Sequence, residues 1–275
     1  STALFYESYL MANYLYACNQ ADSALLCAKK ARTYARDFLY HSQIALANNY
    51  ISVLLLNQKK TDGILSILEE STEHANATQD SMQIAKTLDV YELYHTKIGS
   101  KTAETIRFTL KALDIALAIH PTKERDVLIA ELYSDLSLKY GTLNYQDKSL
   151  EYGLKAYTRI KEIGANRKLI RIIRNLYFNS LLTTEQKVAL CKEGIEVSNR
   201  CGWFEYIQSF TYNIAVYYAM LQNMDSCKSY YYTAKEMRYK VNGSGAKNDL
   251  SNAKFDAMVK VEPDSALVLL QQFEK

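Results

Sequence analysis

The sequence predicts an all-α fold, a solenoid of about seven helical hairpins that runs through residues 1–275 as one domain. Three observations carry this. Short segments opening on an acidic or hydroxyl residue recur at intervals of roughly 40 residues, which is the length of a paired-helix repeat. Apolar residues between them recur at helical spacing. Glycine (9) and proline (2) are too scarce to supply the turns of a strand-rich fold, so no β-sheet is expected.

The recurring segments mark the second helix of each hairpin. Asp22-Ser23-Ala24-Leu25 and Asp264-Ser265-Ala266-Leu267 share a D-S-A-L start, and Asp225-Ser226-Cys227 and Asp147-Lys148-Ser149-Leu150 resemble it. Asp62-Gly63-Ile64-Leu65, Lys101-Thr102-Ala103 and Thr184-Glu185-Gln186 fill the remaining phases. The side chains at these starts are expected to accept hydrogen bonds from free N–H groups of the first turn, and their negative charge suits the helix dipole. Thr183 and Gln186 have capping-box spacing. First helices are predicted over 1–18, 40–57, 79–98, 123–139, 166–180, 203–221 and 247–260. Their apolar stripes include Leu10, Tyr14 and Ala17, then Leu46, Tyr50 and Val53, then Ile214, Tyr218 and Leu221. One hairpin cannot bury both of its stripes, so neighbouring hairpins must stack to complete each core.

Leu46-Ala47-x-x-Tyr50 and Ile214-Ala215-x-x-Tyr218 set a large apolar residue, a small one and an aromatic at the spacing of a tetratricopeptide first helix. Leu10-Met11-x-x-Tyr14, Leu132-Tyr133-x-x-Leu136 and Leu176-Tyr177-x-x-Ser180 are drifted copies. The chain thus resembles the tetratricopeptide-repeat family along its length. That resemblance implies a right-handed superhelix whose concave groove is lined by first helices, and a non-catalytic role in binding a protein or peptide. The long repeats with D-S-A-L second helices are similar to the sensor portions of bacterial signalling and transcriptional regulatory proteins, in which the array precedes a membrane segment and an output domain. This favours a periplasmic over a cytoplasmic location. Cytoplasmic peptide-responsive regulators are the next relatives, and a structural scaffold of protein–protein contacts is the rival reading. The start without Met, already at helical periodicity and with no basic leader, points to a piece of a longer protein.

Composition narrows the chemistry. With 33 basic and 30 acidic residues the net charge of +3 is too balanced for direct nucleic-acid binding by this segment. The longest aliphatic run, near Ile51–Leu56, is far shorter than the ~20 residues that span a bilayer. Five cysteines lack CxxC spacing and read as free core thiols, with Cys18 and Cys27 placed to face one another across the first hairpin. His41, His74, His95 and His120 form no ligand pair on any helix, so no metal is expected, and no phosphate loop, nucleophile elbow or other catalytic motif implies an enzyme or a cofactor.

Two features point to binding. Tyrosine is abundant, at 23 residues, and Tyr217-Tyr218 and Tyr230-Tyr231-Tyr232 are adjacent, so each cluster must expose part of its rings. Arg167, Arg171 and Arg174 stand at i, i+4 and i+7, which puts three guanidinium groups on one helical face with no acid between them. By the repeat resemblance Arg171 and Arg174 line the groove, and Tyr212, at the phase of Arg174 one repeat later, offers an aromatic contact. These residues are expected to hold a carboxylate-bearing peptide or a small anionic ligand. In the last helix Leu267, Leu270 and Phe273 form an apolar stripe without a capping helix, which implies self-association through terminal repeats or missing residues.

Overall fold

The computed structural model describes residues 2–164 and 166–242, and within these it is helical with no strand. The chain divides after Leu143 into two compact units. The first holds α1 (Thr2–Ala17), α2 (Ala21–Asp37), α3 (His41–Asn57), α4 (Ile64–Ala77), α5 (Ser81–Lys97), α6 (Thr102–Ala118) and α7 (Lys123–Thr142). The second holds α8 (Gln146–Ile163), α9 (Asn166–Leu176), α10 (Thr184–Cys201), α11 (Phe204–Met220) and α12 (Met224–Asn242). Within each unit successive helices pack on one another, and α3 also meets α5, as α5 meets α7. This is the stacking of a helical-hairpin solenoid. The predicted seventh hairpin, with Leu267, Leu270 and Phe273, lies outside the described residues.

The repeat has a finer grain than its sequence signature. Asn19, Leu39, Lys59, Gln79 and Gly99 all have positive φ, between 52° and 78°, and they are spaced 20 residues apart. Each follows a helix and closes it through a bond from the next N–H back over the last turn, as Gln20 N to Leu15 O, Tyr40 N to Ala35 O and Lys60 N to Leu55 O, all 2.9 Å. The period is therefore two near-equal helix–turn steps. A non-glycine residue in this conformation costs roughly 1–2 kcal/mol, which the surrounding helix packing has to offset.

Helix starts depart from the expected capping. Asp22, Asp147 and Asp225 sit inside the first turns of α2, α8 and α12, where they act through charge on the dipole. The residues at the caps of α2, α6 and α8 are Gln20, Lys101 and Tyr145, none with a side-chain cap bond. Side-chain caps fall to Asp80 on α5, Thr122 on α7 and Asn223 on α12, while Thr183 and Gln186 do form the expected capping box on α10.

Small residues set the close packing of the first hairpins. Ala24, Ala28, Ala31 and Ala35 are fully buried along one stripe of α2. Phe5, Ile44 and Ala47 pack at one end of it and Ala12, Ile51 and Leu54 at the other. The predicted stripe of α1 is corrected here, because its covered face is Phe5, Ser8 and Ala12, whereas Leu10, Tyr14 and Ala17 are exposed. In α3 the fully buried face is Ile44, Ala47, Ile51 and Leu54, and Leu46, Tyr50 and Val53 are half-buried on another side. A buried polar network ties α3, α4 and α5 together. Ser71 Oγ donates to Asn49 Oδ1 at 2.7 Å, and Asn49 Nδ2 donates to Thr87 Oγ1 at 3.0 Å. In the second unit α9 stops at Leu176, four residues before its predicted end, because the Asn179 side chain accepts from Leu181 N at 2.9 Å and competes with the helical bonds. All five cysteines are free thiols, Cys18 exposed and Cys27 half-buried. Burial pushes the Cys191 thiol up to about 12, which keeps it protonated and inert.

Candidate functional site

First helices α1, α3, α5 and α7 line a groove of about 620 Å³ in the first unit. Helical spacing delivers its residues in rows: Leu46, Asn49, Tyr50 and Val53 from α3, Lys86, Asp89 and Val90 from α5, and Glu124, Val127, Leu128 and Glu131 from α7. Tyr9 of α1 closes one side, its ring 5.4 Å from that of Tyr50. The groove offers an apolar strip between charged rims, with Lys86 paired to Glu124 on one of them. Burial, reinforced by the phenols of Tyr9 and Tyr16, pushes Tyr50 up to about 12. Burial also raises Tyr9, against the pull of the Asn13 hydrogen bond and with help from the Glu124 charge. Both phenols are neutral at physiological pH, and the Tyr50 hydroxyl donates to Ala12 O at 3.4 Å.

Asp89, from the groove lining, Glu92 and Asp135 bring carboxylate oxygens within 4.8 Å of one another. Lys139 Nζ stands 2.6 Å from Glu92 Oε1, and Thr96 donates to the same oxygen at 2.5 Å. The ammonium supplies the positive charge that such a cluster demands, so the cluster braces α5 against α7. Elsewhere His41 and His74, 33 residues apart in sequence, bring their Nδ1 atoms to 2.7 Å, and Glu70 lies 3.8 Å from Nε2 of His74. Histidine spacing along single helices gave no sign of this pair.

The arginine patch lies on α9 in the second unit. Arg167 and Arg174 are exposed and Arg171 is half-buried. The Arg167 guanidinium is 5.3 Å from the Trp203 ring centroid, and that of Arg174 is 5.8 Å from Tyr206. Trp203 and Tyr206 are themselves stacked at 5.3 Å, so guanidinium, indole, phenol and guanidinium form one continuous ladder between α9 and the start of α11. Tyr212 is half-buried and packs beside Ala215, Ala219, Cys227 and Tyr231. The aromatic face under Arg174 comes from Tyr206, because long helical side chains lean toward the helix N-terminus and meet a residue earlier in the neighbouring helix. Trp203 and Tyr206 escaped the sequence reading for that reason. The tyrosine clusters divide as expected: Tyr217 and Tyr231 are buried, Tyr218 and Tyr230 stack half-exposed at 5.5 Å, and Tyr232 faces solvent. No described helix is long and apolar enough to cross a membrane.

By sequence, no family model and no curated protein matches the chain. By structure it is similar to BtubC from P. vanneervenii, with a TM-score of 0.68 and 13% identity over 81% of this chain and 92% of that one. A STAND signal-transduction ATPase with a tetratricopeptide-repeat sensor, from Pyrococcus horikoshii, gives a TM-score of 0.68 at 13% identity, covering 98% of this chain and 42% of that protein. A Rap protein solved in complex with Competence and Sporulation Factor gives 0.67 at 11%, over 98% and 74%. The chain therefore has the tetratricopeptide-type helical-repeat fold that its motifs resemble.

Proposed function

We propose that this chain is a non-catalytic recognition module that holds an extended peptide or protein segment along its first helices, within a bacterial signalling or transcriptional regulatory protein. The observation that carries the reading is the groove of about 620 Å³ between α1, α3, α5 and α7, apolar along Leu46, Val53 and Val127 and edged by neutral tyrosines and paired charges. Such a surface can clasp side chains and satisfy a backbone. Among similar folds, one repeat array is described as a sensor and another was solved with a signalling factor, which supports sensing. In this reading the second unit offers a contact of its own, where Arg167, Arg171 and Arg174, two of them lying over Trp203 and Tyr206, secure an acidic side chain, a terminal carboxylate or a small anion. Signalling follows from small changes in helix stacking on binding. A membrane-anchored protein with this module on its periplasmic side fits the sequence resemblance.

The test is a random-peptide display selection against the 275-residue chain, followed by fluorescence-anisotropy titration of the enriched peptides. Enriched sequences should carry acidic residues, and Arg167→Glu with Arg174→Glu, both exposed, should weaken them at least tenfold while leaving the melting temperature nearly unchanged, since exposed charge changes cost little stability. Equal binding by the folded double variant would remove the arginines from the site.

A further inference from the structure

The first helix of the array is built like a core helix but is largely uncovered. α1 carries one charged residue, Glu7, in TALFYESYLMANYLYA. A helix apolar on nearly all sides is normally buried on all sides. Among the described residues of the helix only Phe5, Ser8 and Ala12 are buried. Leu10 and Tyr14 are 64% and 66% exposed, and Leu4, Tyr6 and Met11 are 41%, 45% and 47% exposed. At ~100° per residue these five side chains fall within an arc of roughly 160°, turned away from the α2 and α3 packing.

We infer that this face of α1 is a self-association surface, and that its occupant is α1 of a second copy of the chain, packed antiparallel about a two-fold axis. The helix is complementary to itself in one register. With the axis between Leu10 and Met11, each of these two residues packs against its own counterpart in the second copy, and the Glu7 carboxylate faces the Tyr14 hydroxyl, which donates to it. The single charge of the face thus finds a partner twice over, and the two Glu7 carboxylates stay about 10 Å apart along the axis. The face has no cation and no second anion to select a charged foreign partner. Five side chains exposed to this degree offer roughly 500 Å² per copy, so the pair removes on the order of 1,000 Å², the lower bound for a specific association. Two-fold pairing also closes the surface instead of propagating a fibre.

Sedimentation equilibrium of the 275-residue chain, from low-micromolar to submillimolar concentration, decides the matter. The expected result is a reversible dimer of twice the 31.5 kDa chain mass. Leu10→Lys and, separately, Tyr14→Lys should each weaken it at least tenfold with circular dichroism unchanged. In a Cys18→Ser, Cys27→Ser background, Met11→Cys should form a disulfide-linked dimer on mild oxidation and Asn13→Cys should not. A monomer throughout, a dimer indifferent to both lysine substitutions, or crosslinking equally efficient at 13 and 11 would overturn the inference. A monomeric chain that instead binds vesicles or another protein through α1 would overturn it too.

Discussion

Replacing Lys139 with methionine removes the ammonium that faces Glu92, and the structure sets the size of the effect. Both side chains are almost wholly buried, at 10% and 7% exposure, and their charged atoms are 2.6 Å apart. At an effective dielectric near 20 the attraction is about 6 kcal/mol, and withdrawing two ions from water costs several kcal/mol each, so the intact pair contributes little net stability. The single variant is different. It leaves Glu92 buried with one hydroxyl donor, Thr96, beside the carboxylates of Asp89 and Asp135. The expected loss is about 3–5 kcal/mol, and Lys139→Met with Glu92→Met should recover most of it because no buried charge remains unpaired. Urea denaturation followed by far-UV circular dichroism measures both. A single variant within about 1 kcal/mol of the parent, or a double variant no better than the single, would refute the view that this pair braces α5 against α7.

Three further outcomes follow from particular residues. A Cβ on Gly194 would lie 2.6 Å from the buried Phe210 ring, so Gly194→Ala should lower the melting temperature, its overpacking cost of about 1–3 kcal/mol exceeding the gain of about 1 kcal/mol in helix propensity; a rise would show that the ring moves freely. Lys59 is exposed at φ 60°, so Lys59→Gly should stabilise by up to about 1 kcal/mol, and a loss in thermal unfolding would mean its side chain has a structural role. Burial raises the Glu70 carboxyl, but hydrogen bonds from Arg36 and Asn48 and the charges of Arg36 and Arg32 outweigh it and hold the pKa below its ordinary value. A depressed carboxylate stabilises the fold above its unfolded pKa and loses that contribution as pH falls through its folded pKa, so Glu70→Gln should be destabilising near neutrality and progressively less so below about pH 4. Parallel pH–stability curves for parent and variant would contradict this.

Helix boundaries were legible because each helix–turn step is nearly the same length. The predicted 40–57 and 203–221 became His41–Asn57 and Phe204–Met220. Turn conformation was not legible, since Leu39, Lys59 and Gln79 occupy left-handed positions that sequence preference reserves for glycine or asparagine. Periodicity also shows that a helix has an apolar face without showing what meets it. Leu46, Tyr50 and Val53 were read as core and instead line the groove, and Leu10 and Tyr14 were read as core and are exposed. The arginine face was visible from i, i+4, i+7 spacing, but its partners Trp203 and Tyr206 depend on side-chain lean across a helix pair. The Glu92–Lys139 and His41–His74 pairs join different helices far apart in sequence, where no single-helix pattern can reveal them.

The claim that first helices form the recognition surface is tested most directly by site-specific photocrosslinking. Benzoylphenylalanine is placed at Val53 in the groove or at Leu26, an exposed position on α2, and the chain is irradiated with a display-selected peptide. Crosslinking at 53 that unlabelled peptide suppresses, with none at 26, is the expected result. Crosslinking at 26 and none at 53 would place the partner on the second helices and contradict the groove assignment.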